Sequence, residues 1–205
     1  MLRSLRQLSL YLILLSILAG CATAPESTTN VEWQAHQLRL KQLTQYQAVG
    51  KLGYISPEER QSLNFQWSHS TQGSQLRLTN FLGQTVLQLH YSPLGARIET
   101  YDDQQFQGRS ADQLVYQLTG LTIPVEQLHF WLLGLPDQAD QFQLTPANTL
   151  ASIDKQLGPQ NWHLQYLRYQ DYTLAGQPLP LPQKLKLSQA ETSINIVISK
   201  WTLTP

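Results

Sequence analysis

Ser62-Leu63-Asn64-Phe65-Gln66-Trp67-Ser68-His69-Ser70-Thr71-Gln72-Gly73-Ser74-Gln75-Leu76-Arg77-Leu78-Thr79 holds two runs of alternating character around a turn. Leu63, Phe65 and Trp67 alternate with Asn64 and Gln66, and Leu76 and Leu78 flank Arg77. A period of two puts the apolar residues on one face of an extended chain, so these are two half-buried antiparallel strands joined at Thr71-Gln72-Gly73. The same period extends upstream to Tyr46, Ala48, Leu52 and Tyr54, before the turn Ser56-Pro57-Glu58-Glu59. Downstream it runs from Val86 or Leu87 to Leu89 and Tyr91, then through Ser92-Pro93-Leu94-Gly95 to Ala96, Ile98 and Thr100.

Beyond this block the period changes. Ser110 with Gln113 forms a capping box ahead of Ala111, Leu114, Val115 and Leu118, and Gly120 ends that helix. A second short helix is expected from Pro124, with Val125, Leu128, Trp131 and Leu132, up to Gly134 and Pro136. Strands are expected again at 149–154, 162–169, 182–187 and 193–203. Before the first strand, Asn30 is the expected N-cap of a helix over 30–45 with Trp33, His36, Leu40 and Leu43 on one face. The fold class is mainly antiparallel β with α, and helices that cover one face of so long a sheet enclose an apolar layer.

Composition sets limits on function. The 205 residues carry 14 basic and 14 acidic side chains, 41% apolar residues and 28 glutamines. That is one neutral globular domain with no basic footprint for nucleic acid, and its partners are expected to be apolar or neutral. The five histidines are scattered without a metal-ligand spacing, and there is neither a phosphate loop nor a nucleophile elbow. Asp102-Asp103, the acidic pair, sits in a hairpin context where aspartates supply turn hydrogen bonds. No metal and no cofactor is expected.

The N-terminus assigns the lone cysteine. Arg3 and Arg6 precede an apolar run over 8–19 that is too short to cross a bilayer and has the form of a signal-peptide core. It closes in Leu18-Ala19-Gly20-Cys21, which resembles a bacterial lipobox. Cleavage before Cys21 leaves 12 basic and 14 acidic side chains, a net charge of −2, so attachment rests on acyl chains and not on charge. The division is then a signal peptide over 1–20, a lipidated N-terminus and flexible tether over 21–29, and one domain over 30–205.

Two features stay open on sequence alone. Phe65, Trp67, Leu78, Leu89, Trp131, Trp162 and Trp201 either fill a core or line a cavity. Phe81-Leu82, inside Asn80-Phe81-Leu82-Gly83, either tuck inward or stand out of the turn as a membrane or partner contact.

The ordered set of Cys21, Trp33-x-x-His36, Thr79-Asn80-Phe81-Leu82-Gly83, Leu118-Thr119-Gly120 with Ile123-Pro124, and Trp131-x-x-Gly134-Leu135-Pro136 resembles the LolB family of outer-membrane lipoprotein receptors. The resemblance continues through Trp162, Tyr166, Tyr169, Leu181-Pro182 and Trp201. It implies a curved, incomplete barrel with helices over its concave face and an apolar cavity, for which the bulky side chains Phe65, Trp67, Leu78, Leu89, Trp131 and Trp162 are the candidate lining. It further implies a monomer that is lipidated at Cys21 on the periplasmic face of the outer membrane. Such a receptor is not an enzyme; it takes lipoproteins from the periplasmic carrier LolA and inserts them into outer-membrane lipid without ATP. Leu82 corresponds to the family's insertion residue, and Phe81 stands where the family often has proline. The reading set against it is an envelope scaffold lipoprotein that binds no acyl chain.

Overall fold

The structure is a computed structural model that describes residues 25–120 and 123–204; Cys21 and the apolar run before it lie outside the described residues. In chain order the elements are α1 (Trp33–Lys41), β1 (Gln45–Ile55), β2 (Arg60–Ser70), β3 (Gly73–Thr79), β4 (Thr85–Ser92), β5 (Gly95–Thr100) and β6 (Gln105–Gly108). There follow α2 (Ala111–Thr119), α3 (Leu128–Trp131), β7 (Gln141–Leu144), β8 (Leu150–Leu157), β9 (Gln160–Leu174), β10 (Gln177–Gln189) and β11 (Thr192–Thr204).

All eleven strands form one antiparallel sheet in the order β6-β5-β4-β3-β2-β1-β11-β10-β9-β8-β7. It is the open, curved sheet with a few helices that the alternation implies. Two meanders meet where the first strand pairs with the last, from Gln45 opposite Thr204 to Ile55 opposite Ser193. The pairing steps at Val49/Gly50, and a Cβ at Gly50 would sit 2.0 Å from the Val197 carbonyl oxygen. Only glycine lets the two backbones approach that closely.

One face of the sheet is apolar. Trp201, Ala48, Trp67, Leu76, Leu89, Ile98 and Phe106 stand opposite one another across seven successive strands. On the other half of the sheet Ile194, Leu187, Leu164 and Ile153 continue that face.

Several element boundaries differ from expectation. Glu32, not Asn30, caps α1, its carboxylate accepting from the Gln34 and Ala35 N–H groups. The helix stops at Lys41, because Gln45 already belongs to β1; Leu43 is buried in the connection. The segment after Pro124 turns before it coils, leaving α3 as the single turn Leu128–Trp131.

β6 and β7 are additional. Each is a four-residue edge strand, Gln-Phe-Gln-Gly and Gln-Phe-Gln-Leu, too short and too exposed to show a period. β10 runs from Gln177 through Pro178, Pro180 and Pro182, and it tolerates them because its pairing to β11 begins only at Lys184. The missing N–H groups therefore break no ladder on that side.

Ordered contacts reach back into the segment expected as tether. The Ser27 N–H donates to the Tyr169 carbonyl at 2.9 Å, and the Ser27 and Thr29 hydroxyls donate to the two Asp171 carboxylate oxygens at 2.6 and 2.7 Å.

Replacing Gly50 with alanine should push β1 away from β11 and cost about 1–3 kcal/mol, read as a lower urea midpoint. An unchanged midpoint would mean that the seam accommodates a side chain there.

Candidate functional site

The strand directions give the sheet two rims. The turns 56–59, 80–84, 101–104, 158–159 and 190–191 share one; the turns 71–72, 93–94 and 175–176, with the start of β1 and the end of β11, share the other.

At the second rim hydrogen bonds tie the cover to the apolar face. Tyr46 donates to the His129 carbonyl, and Tyr166 donates to the Trp131 carbonyl at 2.8 Å. The rings of His69 and His129 stack with centroids 4.6 Å apart, and the Tyr91 hydroxyl lies 3.1 Å from His129 Nδ1. Burial holds the His69 imidazole down to about 4, so the stack is neutral. Glu126 joins the α2–α3 connection to the start of α2, accepting from the Ser110 hydroxyl at 2.7 Å and the Ala111 N–H at 2.8 Å. The Glu126 N–H donates in turn to Asp112, whose carboxyl burial pushes up to about 6. These groups bolt the cover to the sheet, and among the described residues no three His, Cys, Asp or Glu side chains are placed to hold a metal ion.

Toward the first rim the same face is only partly covered. Leu52, Leu63, Leu78, Leu87 and Leu118 are half-buried there, as is Ile123 after α2. Of the six cavity candidates, Phe65 and Leu78 stand opposite each other, and Trp67 reaches Leu89 through Leu76. Trp131 covers the sheet from α3, while Trp162 lies on the same face at the start of β9, several strands away.

All six except Leu78 are buried, packed as core. Two recesses remain between the cover and the sheet toward the second rim, one of about 170 Å³ against Leu40, Leu43, Tyr46, His69, His129 and Phe130 and one of about 390 Å³ against His69, Tyr91, Glu126, His129 and Phe130. The half-covered floor is the feature that the sequence reading missed. Leu52, Leu63 and Leu87 were legible as inward-facing from their alternation, but their exposure depends on how far the helices reach.

The turn between β3 and β4 belongs to the first rim. Phe81 is 88% and Leu82 68% exposed, so the pair stands out and does not tuck inward. Asn80 makes this possible. Its side-chain oxygen accepts from the Leu82 and Gln84 N–H groups, both at 3.0 Å, and its amide donates to Gln84 Oε1 at 2.8 Å. Its carbonyl receives the Gly83 N–H at 3.0 Å and the Asn64 side-chain amide at 3.2 Å. Gly83 has φ +81, a left-handed conformation that closes the loop without strain. Polar groups thus hold the loop shape, and Phe81 and Leu82 are free to meet something apolar.

The comparisons with known proteins point one way. The profile of the family described as outer membrane lipoprotein LolB matches residues 44–201. Outer-membrane lipoprotein LolB of Vibrio parahaemolyticus is 55% identical over 201 residues, covering 98% of this chain and 99% of that protein. The Vibrio cholerae protein of the same name is 56% identical over 191 residues, with 93% of each chain covered. A crystal structure of a DUF1329 family protein from Desulfovibrio piger shares the fold, with TM-score 0.51 and 6% identity over 82% of this chain and 90% of that one. Matched over most of its length by the profile and along nearly its whole length by these relatives, the chain belongs to the LolB family of outer-membrane lipoproteins.

Proposed function

We propose that this protein is a lipid-anchored receptor on the periplasmic face of the outer membrane. It takes lipoproteins from the carrier LolA, shelters their acyl chains on its concave apolar floor, and releases them at the Phe81–Leu82 rim. The observation that carries this reading is a coincidence of place: the floor is half-covered toward the same rim from which the exposed apolar pair projects.

Energetics demand such shelter. A triacylated cargo has about forty methylenes, and at about 0.8 kcal/mol each its exposure to water costs on the order of 30 kcal/mol. The chains must pass between covered sites.

The recesses of about 170 and 390 Å³ lie below or near the low end of the roughly 300–1,000 Å³ that holds a drug-sized ligand, and a triacylated cargo is larger than that. Loading therefore parts the cover from the sheet. The half-buried leucines toward the first rim are where this costs least, because they have least packing to lose. At the other rim the hydrogen bonds of Tyr46 and Glu126 hold the cover to the sheet beside the two recesses.

Transfer consumes no nucleotide. Direction comes from rising affinity along carrier, receptor and membrane, each step being a population shift toward the better-covered site. The receptor acts as a relay and catalyses no bond change. Cys21 carries its own anchor outside the domain, and the receptor works as a monomer.

Leu82→Glu should leave folding and cargo acceptance near normal, because the side chain is exposed and the loop is held by Asn80. Burying a leucine contributes about 1.5–3 kcal/mol, so release into liposomes should fall at least about tenfold and loaded receptor should accumulate. Normal delivery, or equal loss of acceptance and delivery, would show that the turn is not a separate release device.

A Cys21→Ala form exported behind a cleavable signal should be soluble in the periplasm and still accept cargo from loaded LolA. A folded soluble form that takes up nothing would make the anchor part of the acceptance step.

A further inference from the structure

The rim that carries Phe81 and Leu82 has a second exposed ring. Tyr101, 78% exposed, stands at the turn between β5 and β6. Its N–H donates to the Val86 carbonyl at 3.1 Å, so its backbone is fixed to β4, the strand that leaves the Phe81–Leu82 turn. The rest of its turn is stiff. The Thr100 hydroxyl and the Gln104 amide donate to the two Asp102 carboxylate oxygens at 2.6 and 2.7 Å, and the Asp103 N–H donates to the Thr100 carbonyl at 3.1 Å. Adjacent turns of such a meander are two strands apart, about 10 Å. A bilayer that meets one meets the other.

Charge narrows the surface further. The turns of this rim carry Glu58, Glu59, Asp102, Asp103 and Glu191 and neither lysine nor arginine; Arg60 begins β2 beside them. The Thr100 hydroxyl holds the Asp102 carboxyl below its usual range, which keeps it ionised. Glu58, Glu59, Asp102 and Asp103 stand on the neighbouring turns, within about one Debye length of the apolar tips, close enough for anionic headgroups to repel them.

We propose that Tyr101 and the Phe81–Leu82 pair form one membrane-docking rim whose partner is a zwitterionic phospholipid surface, with Tyr101 seated at the headgroup level. A tyrosine suits that level because its ring is apolar and its hydroxyl is wet. Two contacts set apart on a rigid rim also fix the tilt of the sheet, which one leucine cannot do. The inference rests on the reading that Leu82 touches the bilayer.

Because acylation occupies Cys21, Tyr101→Cys, Leu82→Cys and Leu94→Cys each supply one free thiol in the lipidated protein. Leu94, 98% exposed at the opposite rim, is the control. An environment-sensitive fluorophore on each thiol is read in phosphatidylcholine vesicles and in vesicles with one-third phosphatidylglycerol.

The labels at 82 and 101 should shift to the blue and be quenched by bilayer-borne quenchers in phosphatidylcholine, less so with phosphatidylglycerol, while the label at 94 stays in water. Tyr101→Ala should slow cargo release by roughly tenfold with acceptance unchanged, and Tyr101→Trp should restore it. A buried label at 82 with a wet one at 101 overturns the two-contact rim and leaves the Leu82 reading standing. Wet labels at both positions overturn the two together. Equal burial in the anionic vesicles, or burial at 94, overturns the choice of surface and of rim.

Discussion

The hydrogen-bonded seam between β1 and β11 is the constraint on which the molecule depends. It joins the two ends of the fold at the middle of the sheet, so neither six-strand nor five-strand meander has to present a long bare edge there. Such pairing closes a loop of nearly the whole domain, and its entropic cost is recovered only when both meanders are formed. Gly50 is where the two backbones come closest. The curved apolar face exists because the seam makes one surface of two hairpin series.

On that face the cover is deliberately uneven. Buried hydrogen bonds from Tyr46, Tyr166, Ser110 and Glu126 hold the α2–α3 region to one rim, and burial keeps the stacked histidines neutral. Toward the other rim the face offers half-buried leucines, Leu52, Leu63, Leu78, Leu87 and Leu118. Apolar contacts can be exchanged for an acyl chain at little net change, whereas a broken buried hydrogen bond leaves an unsatisfied group costing about 1–3 kcal/mol. The fold can thus open at one end while the other holds.

How much of this was legible follows from what the chain encodes locally. The run from Leu63 to Leu78 announced its strands because alternation is a property of neighbours, and the Ser110 and Gly120 caps were readable for the same reason. β6 and β7 were not, since their pairing partners, not their own residues, make them strands. Sequence left Phe81–Leu82 undecided between inside and outside. The decision belongs to Asn80, whose three side-chain bonds and carbonyl close the loop from within and leave no room for the pair beneath it. The hydrogen bonds that shape the turn come from Asn80, the residue before Phe81. The cavity candidates were chosen for bulk, and bulk is what fills a core. The residues left half-covered are plain leucines whose exposure is set by helix ends far away in the chain.

In the proposed function the two rims also divide the labour of attachment. Ser27 and Thr29 clasp Asp171 and the Tyr169 carbonyl toward the far end of β9, on the side opposite Leu82. Cys21 and Ser27 are only about six residue steps apart, which span at most about 20 Å even when fully extended. The eleven residues of β1 alone measure about 36 Å from rim to rim. With the clasp closed, an anchor at Cys21 holds the Leu82 rim away from the membrane unless the sheet lies along it; with the clasp open, the chain is next held at Val31, whose N–H donates to the Ala147 carbonyl at 3.1 Å, and the reach grows to about 33 Å. Two of the three hydrogen bonds end on the exposed Asp171 carboxylate, where each contributes at most about 1.5–3 kcal/mol, so a buried leucine and tyrosine compete with the clasp on equal terms. Anchor and delivery rim can therefore serve the same bilayer in turn, without either being strong enough to hold the receptor in one posture.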